Sequence, residues 1–156
     1  MNGGAPRSFL DLCRARQSCR RYDPSRPGSR DVLERCLEAA RLAPSACNSQ
    51  PWTFLVIDEP ARRAALAEAA FGGLYRMNRF AAEAPVLVVV LTERSKTLAR
   101  IGGQIRGVPY RLIDVGIACE HFVLQAEEEG LGTCWLGWFD ERAVKRGLGL
   151  PRSAHA

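Results

Sequence analysis

The mixture of helical and strand-like patterns in this 156-residue chain predicts an α+β fold. Apolar residues with helical spacing alternate irregularly with short β-branched runs, which does not suit a regular βαβ arrangement. The sequence contains no internal repeat and no linker-like stretch, and its length suits one domain. Residues 1–156 are therefore expected to form a single domain, with flexible ends at about 1–7 and 152–156.

The first helix is predicted over residues 8–19, because helical spacing places Phe9, Leu12, Cys13 and Arg16 on one face. Two prolines and a glycine over 23–28 then predict a loop.

A second helix is expected from Ser29, a potential N-cap, to about Leu42, because Pro44 disfavours helix in the residue before it. The β-branched and aromatic run over 53–58 predicts the first strand.

The third helix is expected to begin with Asp58 as its cap and Pro60 in its first turn, and to run to about Ala70. A glycine pair ends it, and a short helix is expected over Tyr75–Ala82.

The second half is predicted to contain two more strands and two more helices. The apolar run Val86–Leu91 predicts a strand buried on both faces, and Ser95–Pro109 reads as an irregular basic loop. A long, central helix is expected over Tyr110–Glu129, a third strand over Thr133–Phe139, and a short final helix capped by Asp140.

The net charge of +5 comes almost entirely from arginine, since Lys96 and Lys145 are the only lysines. Positive charge favours a nucleotide, a nicotinamide cofactor or nucleic acid without choosing among them. Because no Lys/Arg run is interleaved with aromatic residues, nucleic-acid binding is the weakest of these. The sequence has no signal peptide and no apolar run near 20 residues, which favours a cytoplasmic location.

The six cysteines form no C-x-x-C pair, so we expect no metal site. Cys13, Cys36 and Cys119 fall at apolar positions of predicted helices and are expected to be small core residues. Reduced thiols fit a cytoplasmic protein.

The first polar cluster is Arg16–Tyr22, at the end of the first predicted helix. Arg16 and Arg20 are four residues apart and would share a helix face, with Ser18 between them. Guanidinium groups and a hydroxyl suit a phosphate. A solvated basic helix end is the alternative.

The second cluster, residues 43–52, lies between a helix and a strand. Ser45, Asn48 and Gln50 supply donors and acceptors that suit the edge of a heterocycle. An ordinary turn is the alternative.

The third cluster, residues 130–139, is a predicted strand interrupted by Gly137, where a ligand could approach the backbone closely. The alternative is a buried aromatic strand with Trp135 and Trp138 in the core.

These clusters together resemble the nitroreductase family of flavin enzymes. The resemblance is ordered and covers about residues 9–151. Its motifs are Arg16-x-Ser18-x-Arg20, Pro44-Ser45-x-x-Asn48-x-Gln50-Pro51-Trp52, Asp114-x-Gly116-Ile117-Ala118 and Gly130-Leu131-Gly132-x-Cys134-Trp135-Leu136-Gly137.

The resemblance implies a central, mostly antiparallel sheet flanked by helices, in an intertwined homodimer with FMN at the interface. Arg16, Ser18 and Arg20, with Gln17 alongside, would hold the FMN phosphate and ribityl chain. The same flavin would be contacted from the other subunit by Pro44, Ser45, Asn48 and Gln50.

The third cluster would lie near the flavin ring, with Leu136 and Gly137 beside the isoalloxazine and a backbone N–H near N5. Arg79 or Arg76 would occupy a basic position near the pyrimidine ring.

The activity implied is a ping-pong cycle in which NADH or NADPH passes hydride to flavin N5 and a small acceptor is then reduced. Nitroaromatics, quinones or an unsaturated small molecule are the expected acceptors. No side chain is required as nucleophile, metal ligand or acid–base group, because the cofactor carries the chemistry.

Family members usually continue with a further strand and a tail that embraces the partner, whereas this sequence stops at Ala156. An exposed sheet edge and weaker FMN binding are the expected consequences. The alternatives to an FMN oxidoreductase are a non-catalytic flavin-binding protein or a truncated remnant of the family, and a basic domain that binds nucleic acid.

Overall fold

The computed structural model describes residues 8–26, 28–92 and 108–155. Its helices are α1 (Phe9–Ala15), α2 (Arg30–Arg41), α3 (Pro60–Ala70), α4 (Tyr110–Glu128) and α5 (Glu141–Gly147). Two segments are 3₁₀-helical, Ala46–Asn48 and Gly73–Glu83, and the strands are β1 (Trp52–Ile57) and β2 (Leu87–Thr92). Most of the predicted loop Ser95–Pro109 lies outside the described residues.

The two strands are antiparallel, with Trp52 opposite Thr92 and Ile57 opposite Leu87. Among the described residues they form the only multi-residue ladder. Beyond it, Thr92 also pairs with His155 in an isolated antiparallel bridge, and its N–H donates to the His155 carbonyl oxygen at 2.7 Å. His155, near the C-terminal end of the sequence, therefore lies along the edge of β2 that β1 does not occupy.

The sheet lies between two apolar clusters. Phe54 and Val88 pack toward α2 and α4, whereas Leu55 and Val89 pack toward α3 and α5. The ring of Phe54 stacks on Phe122 of α4, with centroids 5.8 Å apart. Both faces of β2 pack against an apolar cluster, but the prediction that the strand is buried on both faces was wrong, because every residue of β2 keeps partial exposure.

The helix caps show which local predictions hold. Asp140 caps α5 as predicted, since its Oδ1 accepts the Ala143 N–H at 2.9 Å. The predicted cap of α3 was wrong: Glu59, not Asp58, is the N-cap, and its longer side chain accepts the first free N–H groups at 2.8 Å. Ser29 occupies the N-cap position of α2 but makes no side-chain cap bond.

Two larger predictions also need correction. Helix α1 ends at Ala15 rather than Cys19, because the chain turns extended at Arg16. Residues 133–139 do not form a strand, because Thr133 pairs with one residue, Ser18, instead of a continuous partner.

Candidate functional site

A cleft of about 200 Å³ opens where the segment after α1 crosses α4 and meets the residues after α4. It brings the first and third clusters of the sequence together. Its lining residues are Arg16, Ser18, Glu120, Val123, Thr133, Cys134 and Trp135.

The cleft depends on one long-range backbone contact. Ser18 and Thr133 form a parallel bridge, and the N–H of Cys19 donates to the Thr133 carbonyl oxygen at 2.8 Å. The Tyr22 hydroxyl donates to the Cys19 carbonyl oxygen at 2.8 Å, and this bond stabilises the segment that follows Ser18. Arg16 and Ser18 are thereby held beside Trp135.

The geometry predicted for the two arginines was wrong, because residues 16–20 are extended instead of helical. Side chains two apart share a side of an extended segment, which places Arg16 and Ser18 together in the cleft. Arg20 is exposed, and its Nη1 reaches the Ser18 carbonyl oxygen at 3.5 Å. Among the described residues, Arg20 and the exposed Gln17 do not line the cleft.

The second cluster forms a tight loop with unusual backbone angles. Three non-glycine residues within four positions have left-handed φ: Cys47 at 53°, Asn48 at 49° and Gln50 at 45°. Such residues cost roughly 1–3 kcal/mol each and concentrate at functional sites. This loop is therefore a strained element that its surroundings hold in place.

Hydrogen bonds inside the loop account for part of that support. Ser45 Oγ accepts the Gln50 N–H at 2.9 Å, and Gln50 Nε2 donates to Asn48 Oδ1 at 3.0 Å. The predicted site residues Ser45, Asn48 and Gln50 are thus brought together, beside the exposed Pro44.

The remaining support comes from α4. Asp114 is 4 % exposed, and its Oδ1 accepts the Ala46 N–H at 3.1 Å. Its Oδ2 and the Oγ of buried Ser49 have no hydrogen-bond partner among the described residues. The loop is therefore anchored to the first turns of α4 through a buried carboxylate.

The loop of the second cluster and the cleft lie against different sides of α4. Each helical residue turns by about 100°, so Asp114 and Val123 point in opposite directions, and Glu120 lies about 120° from Asp114. The second cluster contacts the Asp114 side, whereas the cleft lies on the Glu120–Val123 side.

The third cluster divides between core and surface. Leu136 packs against the cluster between α3 and α5. Gly137 is exposed, and a Cβ built there would have no atom within 4 Å, so its backbone is open to a ligand. Trp135 and Trp138 are 56 % and 55 % exposed, which overturns the alternative that they are core residues.

Trp138 fixes the 3₁₀ segment Gly73–Glu83. Its Nε1 donates to the Leu74 carbonyl oxygen at 3.3 Å, and its own carbonyl oxygen accepts Asn78 Nδ2 at 2.8 Å. The predicted site residue Arg79 lies on this segment, exposed, with Nη2 4.0 Å from Glu68 Oε2. Arg79 and Arg76 are both exposed and do not line the cleft within the described part of the chain.

Three cleft residues were not singled out by sequence reasoning. Glu120 and Val123 belong to α4, where nothing in the pattern distinguishes Glu120 from the other acidic residues. Thr133 was assigned to a strand. Only the bridge to Ser18, which joins distant parts of the chain, places these residues at one site.

Burial raises the pKa values of a phenol and a thiol near the cleft. Burial, together with the charges of Cys19 and Cys134, raises the pKa of Tyr22 to about 12. Burial also raises the pKa of Cys119, which precedes the cleft residue Glu120 on α4, to about 11. Cys36 is fully buried as predicted, whereas Cys13 is exposed on α1, so its prediction as a core residue was wrong.

Two classes of site are not found within the described ranges. No group of three or more His, Cys, Asp or Glu side chains there could hold a metal ion. None of the helices described has the length and apolar character needed to cross a membrane.

Comparison with known proteins identifies the family to which this fold belongs. The model of the Nitroreductase family matches residues 13–76 and 74–156. An NADH dehydrogenase of Thermus thermophilus is 33% identical to this chain over an alignment of 167 positions. The alignment covers 89% of this chain and 78% of that protein. The chain belongs to the nitroreductase family.

Solved structures of nitroreductases have the same fold as this chain. A nitroreductase family protein from Clostridium novyi NT superimposes with a TM-score of 0.81 at 28% identity, covering 96% of this chain and 80% of that one. A putative nitroreductase from Exiguobacterium sibiricum 255-15, crystallised in complex with FMN, superimposes with a TM-score of 0.77 at 25% identity and covers 97% and 84%. The predicted family and α+β nitroreductase fold are thereby confirmed.

Proposed function

We propose that this protein is an FMN-dependent oxidoreductase that uses NADH or NADPH to reduce a small acceptor, such as a nitroaromatic or a quinone. The observation that carries the proposal is the meeting of Arg16 and Ser18 with residues 133–135 in one cleft. The family relationship and the FMN-bound relative from Exiguobacterium support the choice of cofactor.

The residues of the cleft fit one end of FMN. Arg16 offers a charged fork and Ser18 a hydroxyl, which suit a phosphate. Thr133 and Trp135 offer a polar and an aromatic surface beside them. Glu120 opposes the phosphate charge, so Arg16 has to outweigh a nearby carboxylate.

The size of the cleft indicates that one copy of the chain holds only part of the cofactor. Pockets for ligands of this size usually measure about 300–1,000 Å³, whereas this cleft measures about 200 Å³. The loop with Ser45, Asn48 and Gln50 lies on another side of α4. We therefore propose that a second copy supplies this loop, with two sites in a homodimer.

Exposed apolar side chains support such a dimer. Phe9 and Leu10 of α1 are 70 % and 55 % exposed, and Leu112 and Ile113 of α4 are 53 % and 52 % exposed. A dimer that covers these side chains would remove exposed apolar surface from water.

FMN, when bound, supplies a two-electron centre that accepts and donates hydride at N5. The chain's own groups orient it. In this proposal, Arg16 and Ser18 grip the phosphate, while the open backbone at Gly137 allows close approach of the ring and Leu136 supports it from the core. Arg20, Gln17, Pro44 and Arg79 remain predicted contacts.

An absorption spectrum of the purified protein, reconstituted with FMN, tests the proposal. We expect a bound-flavin spectrum that NADH or NADPH bleaches without oxygen and that a nitroaromatic or quinone restores. Lack of affinity for FMN would contradict the proposal. Bound flavin that neither nucleotide bleaches would instead support a flavin-binding protein without turnover.

A further inference from the structure

Two cysteines, Cys19 and Cys134, occupy neighbouring positions where the chain crosses itself. Ser18 pairs with Thr133 in parallel, and the Cys19 N–H donates to the Thr133 carbonyl oxygen at 2.8 Å. That carbonyl belongs to the peptide unit that leads into Cys134. Paired segments lie about 4.8 Å apart, and disulfides span Cα atoms about 4.4–6.8 Å apart.

The side chain of Cys19 points toward the segment that carries Cys134. A Cβ built on Gly132 would lie 2.8 Å from both the Cβ and the Sγ of Cys19, so this side chain lies directly over the glycine. In extended backbone, residues 132 and 134 project to the same side. We therefore expect both side chains to project to one face of the crossing. In the structure each sulfur contacts a carbonyl oxygen of its own segment, Cys19 Sγ that of Arg21 at 3.1 Å and Cys134 Sγ that of Trp135 at 3.6 Å, so disulfide formation requires the two side chains to rotate.

Tyr22 lies beside the same crossing as the two cysteines. Its hydroxyl contacts the Cys19 carbonyl oxygen. Apart from burial, the charges that raise its pKa are those of both Cys19 and Cys134, so both thiols lie near this one phenol.

Access to the pair is also suitable. Both cysteines are partly exposed, and Cys134 lines the cleft. Reagents can therefore reach them, in contrast to Cys36, which is completely buried.

We infer that Cys19 and Cys134 form a redox site that hydrogen peroxide converts to a disulfide within one chain. One thiolate attacks the peroxide, breaking the O–O bond and forming a sulfenic acid while hydroxide leaves. The second thiolate attacks that sulfur, and the S–O bond breaks as the S–S bond forms. Two thiols and one peroxide give one disulfide and two waters, so two electrons pass from sulfur to peroxide.

The disulfide would tie together the two segments that line the cleft, and it does not depend on FMN. A dithiol reductant reverses it. The site is thus a modification site distinct from the proposed flavin chemistry.

Peptide mapping under non-reducing conditions tests the inference. The full-length protein is reduced, treated with one equivalent of hydrogen peroxide at low protein concentration, blocked with an alkylating agent and digested. We expect a monomer that has lost two hydrogen atoms, with the Cys19 and Cys134 peptides joined. Cys19→Ser and Cys134→Ser should abolish this product, whereas the matched controls Cys13→Ser and Cys47→Ser, at exposed cysteines, should retain it.

Phenylarsine oxide provides a measurement that needs neither an oxidant nor a substituted chain. It bridges two close thiols with loss of one water, and we expect one adduct that protects Cys19 and Cys134 together from alkylation. The inference is overturned if these two cysteines alkylate independently after both treatments, or if the peroxide product joins other cysteines or two chains.

Discussion

Asp114 on α4 accepts the backbone N–H of Ala46 across 3.1 Å, although the sequence places them in separate motifs. The carboxylate is buried, and the loop it holds contains three non-glycine residues with left-handed φ. This single contact connects the strained loop to the long helix, so it should control how well the loop keeps its conformation.

Replacing Asp114 should therefore loosen the loop. Asp114→Ala leaves the Ala46 N–H without its acceptor, which costs about 1–3 kcal/mol of unfolding free energy. Asp114→Asn keeps an oxygen at that position and should cost less. Urea unfolding gives the cost, and hydrogen exchange at the Ala46 amide gives the local effect.

Asp31→Ala, at an exposed position in the first turn of α2, is the control and should leave the exchange unchanged. If Ala46 exchanges at the same rate in Asp114→Ala and in the unsubstituted protein, Asp114 does not anchor the loop.

Gly132 should tolerate no side chain. Alanine at this position would place its Cβ 2.8 Å from two atoms of Cys19 and push the two segments of the cleft apart. Overpacking of this kind costs about 1–3 kcal/mol. Gly137→Ala is the matched control, because its Cβ meets no atom within 4 Å, and thermal unfolding should distinguish the two. Equal stability of both variants would show that the crossing is looser than described.

Arg16 should supply most of the proposed grip on the FMN phosphate. Arg16→Gln removes a charged hydrogen bond worth roughly 1.5–3 kcal/mol, so the Kd for FMN should rise about 10- to 100-fold. Arg14→Gln provides the control, because Arg14 lies on α1 and pairs with the exposed Asp11 at 3.5 Å. Fluorescence quenching of FMN measures both Kd values, and a similar small change in the two variants would remove Arg16 from the site.

Alkaline pH should destabilise the protein through Cys36. Burial raises the pKa of this thiol from 9.0 to about 11, so between these values the unfolded chain loses a proton that the folded chain keeps. Stability from this group is complete below pH 9 and is lost as pH rises through 11, on the order of 2–3 kcal/mol in total.

Cys36→Ala isolates this contribution. The difference in unfolding free energy between the original protein and this variant should shrink from pH 9 to pH 11, as measured by urea unfolding at each pH. A difference that stays constant would mean that the folded and unfolded thiols titrate alike.

The sequence predicted local features well where neighbouring residues determine them. The periodicity of α4 and the β-branched run of β1 gave these elements within about a residue, because both depend on local spacing and propensity. Asp140 was also found as a cap, since capping is local. Family resemblance added the expected positions of the site residues.

Features that depend on distant residues were missed. Residues 16–20 have helical propensity, but pairing of Ser18 with Thr133 draws them into extended backbone. The same contact limits residues 133–139 to one bridge instead of a strand, and it brings Glu120 into the cleft. No local sequence pattern predicts that Ser18 pairs with Thr133, because the two residues lie far apart in the sequence.

The central proposal is that one flavin site is built from two copies of the chain, with Arg16 from one and Asn48 from the other. Subunit mixing tests it most directly. Arg16→Gln and Asn48→Asp, which replaces an amide donor with an acceptor, should each weaken FMN binding when present in every subunit. Circular dichroism confirms that both variants fold.

Equal amounts of the two variants are then mixed under conditions that allow subunit exchange, and FMN binding is titrated. In a two-fold dimer, half of the dimers are mixed, and each has one site without either substitution. The account predicts that about one quarter of all sites regain the original affinity. If no site regains it, both residues act within one chain, and the shared site is contradicted.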